Sequence, residues 1–269
     1  MNGDSGPHQV FLEAVRALDG ESVTARYGAL LVLESMALDG YRSAEICRIV
    51  SHFARHATPH DVYSPGPDAH EPSNGAQLVA TAASQITMDY ELAVSVAVNL
   101  GGGERSLGVV DLSNCMVVGH EFVAPLRGSF HGAYFARCTW HRGAAQADLS
   151  ESRVEHCVVR DGLVDVRLNG ARVGHSAFVG VRFDSVDFRS ASVSMTRFDE
   201  CAAAESSLQR ARLSDCRLNG LDLTSCDLDE LALVRCGTPN VSVQDCSTDR
   251  VKVDGVTTRL PGRPSEDRQ

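Results

Sequence analysis

Three histidines spaced four apart, His52, His56 and His60, lie close to Asp61 and His70. Histidines at i and i+4 on a helix have the donor type and spacing to chelate zinc. No HExxH motif accompanies them, and Pro59 ends the helix before His60. We read the trio as a solvated helix end where His also suits the dipole; a metal-binding protein using His52, His56 and His60 is the alternative. His120 and Asp161 fall where the pattern below calls for a small inward residue. A buried polar group there would need a partner, so we expect a local bulge to turn each side chain outward. The stretch NLGGGERS (99–106) lacks the Lys of a phosphate-binding loop and reads as a linker, and no GxSxG elbow occurs. We therefore assign no catalytic, cofactor-binding or metal-binding residue and expect no enzyme.

What positions these residues is a repeat. From Leu163 to Val253 a large apolar residue returns every fifth position, with Ala203, Thr238 and Thr248 as the exceptions. Two residues before each sits a mostly small one. A period of five fits neither a helix nor a plain strand, and a fixed repeat is the signature of a solenoid. Charge tests the period. Of the 26 charged residues from Asp161 to Asp254, none falls on the large phase and only Asp161 on the small one. Both phases therefore face inward, and the other three residues of each pentad carry the chain around a corner. Of the nine cysteines, eight occupy the small phase: Cys115, Cys138, Cys157, Cys201, Cys216, Cys226, Cys236 and Cys246. With an odd total and no CxxC, we read them as reduced, compact core residues.

The units LDLTS (221–225), CDLDE (226–230) and VDFRS (186–190) resemble the pentapeptide repeat family, whose pentad reads small, Asp or Asn, Leu or Phe, then two variable positions. The Asp or Asn position departs to Arg at 167, 172, 182, 197, 212 and 217. The resemblance implies a right-handed quadrilateral β-helix with four pentads per coil. Upstream, Leu112, Val117 and Phe122, then Phe130, Phe135 and Trp140, then Leu149, Val154 and Val159 continue the pattern in shifted phases. We expect bulges or short loops at Val123–Arg127, His141–Gln146 and Arg160–Gly162. The resulting coils, about seven, make a shaft on the order of 35 Å long.

Before the shaft, Phe11, Ala14, Val15 and Leu18 predict a helix stopped at Gly20. Ser22 caps a second helix running to Gly40, and Ile46, Val50, Phe53 and Ala54 mark a third. Thr58–Asn74 reads as an exposed loop, Gln77–Ile86 as a fourth helix, Tyr90–Leu100 as helix or strand, and Gly101–Gly103 as a link. The segments YGALLVLESMA and ICRIVSHFARHA resemble the helical region before the repeats in bacterial members of the same family. We thus expect a flexible leader (1–8), a helical cap domain (9–103), a pentapeptide-repeat β-helix (104–254) and a disordered tail (255–269).

The net charge of −10 argues against direct nucleic-acid binding. No apolar run approaches the roughly 20 residues of a membrane span, and no signal peptide opens the chain, so a cytoplasmic location is expected. Function reads as a non-enzymatic protein-interaction scaffold for a partner of unknown identity. The resemblance further implies a homodimer through the last coil, and gyrase as a partner, because some members mimic duplex DNA. That mimicry calls for an acidic rod, whereas residues 109–254 carry 20 acids against 16 bases.

Overall fold

The computed structural model describes residues 6–58, 86–102, 107–237 and 240–257. Its first described part is helical. α1 (Pro7–Leu18) starts with Pro at its first turn, where the missing N–H costs nothing, and buries Phe11, Ala14 and Leu18 on one stripe. α2 (Val23–Leu38) is capped by the Ser22 hydroxyl, which accepts from the Ala25 amide at 3.3 Å. α3 (Ser43–Ala57) buries Ile46, Cys47, Val50 and Ala54, while Phe53 is only half-buried. The expected fourth helix at Gln77–Ile86 lies almost wholly outside the described residues, as do Pro59–Asn74.

The ambiguous segment is a helix, α4 (Met88–Gly102), buried except along a narrow stripe where Met88, Glu91 and Asn99 are exposed and Leu92 and Ser95 half-buried. It is mostly apolar because α2 and α3 cover one flank and the first coil the other. Near its N-terminus Asp89 is 1% exposed, held by Arg26 of α2 at 2.6 Å. Burial alone would raise the Asp89 pKa, but hydrogen bonds from Thr87 and Arg26, together with the Arg26 charge, hold it below the ordinary carboxylate value.

The reading of Gly101 and Gly102 as linker residues is corrected: both close α4 and are buried. A Cβ on Gly101 would lie 2.1 Å from Val110 Cγ2, and one on Gly102 would lie 2.4 Å from the Pro125 carbonyl oxygen. Glycine stands there because a helix end is pressed on the shaft, and composition alone cannot separate that use from a flexible link. Two polar contacts fix the same junction. The buried Tyr90 hydroxyl donates to the Met116 carbonyl at 2.6 Å, and Arg55 meets Asp111 at 2.5 Å.

Beyond the junction the chain winds into a four-sided β-helix. Side A carries the column Leu112, Phe130, Leu149, Leu168, Phe188, Leu208, Leu228, with Asp111↔Ser129 and its successors bridging the coils. Side B stacks Val117, Phe135, Val154, Val173, Val193, Leu213, Leu233 and Val253 in one parallel ladder. Side C stacks Phe122, Trp140, Val159, Phe178, Phe198 and Leu218. Side D stacks Ala144, Leu163, Phe183, Ala203, Leu223 and Val243. Each fully buried apolar side chain contributes about 1.5–3 kcal/mol.

Each of the three expected phase slips includes a shortened C-to-D side, and the first coil is shortened a second time from Leu126 to Phe130, beside a register shift. Val117 pairs with Phe135, 18 residues on; Phe135 with Val154, 19 on; from Val173 onward the interval is 20. The irregularity is a side of four residues in place of five, as from Val159 to Leu163, and the strand Val158–Val164 runs through that corner unbroken, with a register shift against the strand Ala177–Asp184. Where a side keeps five residues, the fifth turns left-handed: Met195, Glu200 and Arg210 have φ 48°, 52° and 58°. That conformation costs roughly 1–2 kcal/mol per ordinary residue. It is offset because the same residue's amide bonds to the next coil, as Met195 N to Ser214 O and Arg210 N to Asp229 O, both at 2.9 Å.

The inward cysteines belong to this bonding. Down one corner run His120, Cys138, Cys157, Ser176, Thr196, Cys216 and Cys236, and the amide of one rung donates to the side chain of the next: Cys138 N to Cys157 Sγ at 3.4 Å, Cys157 N to Ser176 Oγ at 3.1 Å. Sulfur and hydroxyl thus satisfy amides that the strand ladders leave over. All nine cysteines are free. Burial pushes Cys115, Cys201 and Cys226 up to about 11, which keeps them as inert thiols.

Candidate interaction surfaces

The structure brings His52 and His56 together on the exposed side of α3, with ring centroids 4.2 Å apart. His60, Asp61 and His70 lie outside the described residues. Among the described residues no group of three or more His, Cys, Asp or Glu side chains is arranged to hold a metal ion. An open groove of about 430 Å³ runs between α1 and α3, lined by Val15, Leu18, Arg48, Ile49 and both histidines.

Asp161 is exposed, turned out of the coil with φ 68°, as expected for a residue beside a slip. His120 is not turned out. It is half-buried, its Nε2 lies 3.4 Å from Ser95 Oγ of α4, and its ring rests on Phe122 at 4.4 Å. Burial pushes its pKa down, against a smaller upward pull from Glu121. The helical block therefore supplies the partner that a bulge would have replaced.

The surface left to the shaft is its four outward sides, and the coil register sorts their charges. With each corner residue assigned to the side it follows, side A carries eight acids against four bases. Side D carries five acids (Asp165, Asp184, Glu205, Asp222, Asp245) against Arg127 and Arg182, and side C four of each. Side B is reversed: Arg137, Arg153, Arg172, Arg212, Arg235 and Lys252 stand against Glu155, Asp215 and Asp254. Adjacent sides D and A form an acidic half with 13 acids and six bases, and side B is a basic stripe opposite D.

Pairing sharpens the contrast. On side A, Arg189 grips Asp187 at 2.6 Å, Arg210 and Arg250 meet Glu230, and Asp187 is held below the ordinary carboxylate value chiefly by its hydrogen bond from Arg189. On side B, Arg153 is tied to Glu155 and lies over the Tyr134 ring, and Arg235 is tied to Asp215. Arg172, Arg212 and Lys252 have no ion-pair partner among the described residues. His156 and His175 stack at 4.9 Å along the corner of this side. The periodicity hid this sorting because side membership needs every fourth pentad to be grouped, and the shortened coils displace that count upstream of Leu163.

Residues 204–236 match the family model for pentapeptide repeats (8 copies). No curated protein matches the chain. Among solved structures it is similar to HetL, a pentapeptide repeat protein involved in heterocyst differentiation regulation from the cyanobacterium Nostoc sp. Strain PCC 7120, at 14% identity over 60% of this chain and 96% of that one, with a TM-score of 0.25. It is also similar to full-length QnrB1, a plasmid-mediated fluoroquinolone resistance protein, at 15% identity over 52% and 91% of the two chains, TM-score 0.24. The pentapeptide repeat protein Rfr23 from the cyanobacterium Cyanothece 51142 matches at 15% identity over 49% and 89%, TM-score 0.17.

Proposed function

We propose that this chain, whose coils are pentapeptide repeats, is a non-enzymatic protein-docking scaffold. One observation carries the reading: the inside of the shaft is filled. Two internal cavities among the described residues measure about 30 and 120 Å³ and are lined by apolar side chains apart from Ser206, well below the few hundred Å³ of a typical small-molecule site. What the fold offers to other molecules is a set of flat, rigid, sign-sorted sides. Affinity capture from host cells followed by cross-linking tests this. A defined protein cross-linked to shaft residues supports the scaffold, and no protein enriched over a denatured control removes it.

A second reading is favoured by the acidic half. Sides D and A present 13 acids against six bases, although the rod as a whole is nearly balanced. That is the arrangement a duplex-DNA mimic directed at gyrase would need. A supercoiling assay with bacterial gyrase, with and without a fluoroquinolone, decides it: inhibition or drug protection raises this reading, and no effect at excess protein removes it.

A further inference from the structure

Resting on the scaffold reading, we infer that side B docks an acidic protein surface. Its ladder pairs Arg172 with Ser192 and Ser192 with Arg212, then Arg212 with Ala232 and Ala232 with Lys252. The three cations therefore recur every second rung, ~9.6 Å apart. All three are exposed and none is paired among the described residues. Between them in the ladder lie Ser192 and Ala232, and beside them Gly174, Ser194 and Ser214, side chains too short to shield the cations, which therefore stand above a flat floor. The neighbouring side A differs in that Arg189, Arg210 and Arg250 are each held by a carboxylate, Asp187 or Glu230.

The partner chemistry follows from charge. Three free cations on one narrow stripe, with an acidic half on the same rod, fall short of the 6–10 phosphate contacts of a typical duplex binder. They suit carboxylates on a protein surface, where complementary potential sets partner choice and approach rate. The opposite side D is acidic, so a second copy of this chain is the competing occupant.

The test uses the full chain with poly-L-glutamate as probe, duplex DNA beside it, and sedimentation of the protein alone. We expect poly-L-glutamate to bind and weaken with salt, and the double variant Arg172→Glu/Arg212→Glu, folded by circular dichroism, to lose roughly tenfold or more in affinity. Equal binding by the variant, no binding by the natural chain, or tighter binding of DNA overturns the inference. So does concentration-dependent self-association that the variant abolishes, which would assign side B to a second copy. Capture from host cells, run with the same variant, separates the two levels. A partner retained by the variant leaves the scaffold standing and removes side B, and no partner with either protein removes the scaffold.

Discussion

The two ends of the shaft are built on opposite principles. At the helical end the coils are irregular, 18 then 19 residues long, yet every inward side chain except the half-buried His120 is sealed. Phe122, Phe130, Phe135 and Trp140 interlock there with ring centroids 5.2–6.1 Å apart, and α4 closes the top. At the other end the coils keep their 20-residue interval, but Cys236, Val241, Cys246 and Val253 are only half-buried and Thr248 stands in the core column. A two-residue antiparallel ribbon, Lys252–Val253 against Val256–Thr257, ends the described shaft. Regularity and closure are therefore separate achievements. A repeat fits itself, whereas a coil that meets a helix must abandon the repeat to fit it.

The largest effect that would break this comparison is loss of the regular coils' inward register. Phe188 is 6% exposed, stacked between Leu168 and Leu208. Phe188→Asp buries an unpaired charge and is expected to abolish cooperative unfolding of the shaft, read by circular dichroism and thermal melting. Arg189→Asp, one residue on at an exposed site, loses the ion pair with Asp187 and is expected to leave the cooperative melt in place with little change in midpoint. Equal tolerance of both would place the inward column elsewhere.

Next in size is the junction. Gly102→Ala sets a methyl group against the Pro125 carbonyl, a backbone atom that cannot swing away. We expect a loss of about 1–3 kcal/mol from this overpacking. Tyr90→Phe removes the donor to the buried Met116 carbonyl and should cost about 1–2 kcal/mol by denaturant titration. If both changes were silent, the helical block would be an appendage rather than the cap of the first coil.

The same contrast explains what could be read from residues alone. The five-residue phase, the buried columns, the reduced cysteines and the Ser22 cap were legible because each repeats or obeys a local rule. Leu223 could be placed from Leu218 and Leu228 without any structure. The role of Gly101 and Gly102, the helical state of Tyr90–Leu100 and the burial of His120 depend on a single non-repeating contact between α4 and the first coil. No local rule encodes such a contact. Charge sorting lies between: every charged residue is visible in the sequence, but its side emerges only when every fourth pentad is grouped and the shortened coils are allowed for.

The smallest effect tests whether the regular coils are better fitted than they need to be. In the side D column Ala203 stands between Phe183 and Leu223, and a cavity of about 30 Å³ lined by all three lies beside it. Since the alanine interrupts an otherwise large phase, the coil above and below is already shaped for a bigger side chain. Ala203→Val adds two carbons to that space, and its branched Cβ suits a strand. Filling such a void is expected to stabilise the shaft by about 0.5–1 kcal/mol, seen as a rise of the denaturation midpoint at unchanged slope. A loss of stability would mean that the neighbouring rings of Phe183 and Phe198, 6.1 Å apart, have closed around the alanine. The regular coils would then be as individually adapted as those beneath the helices.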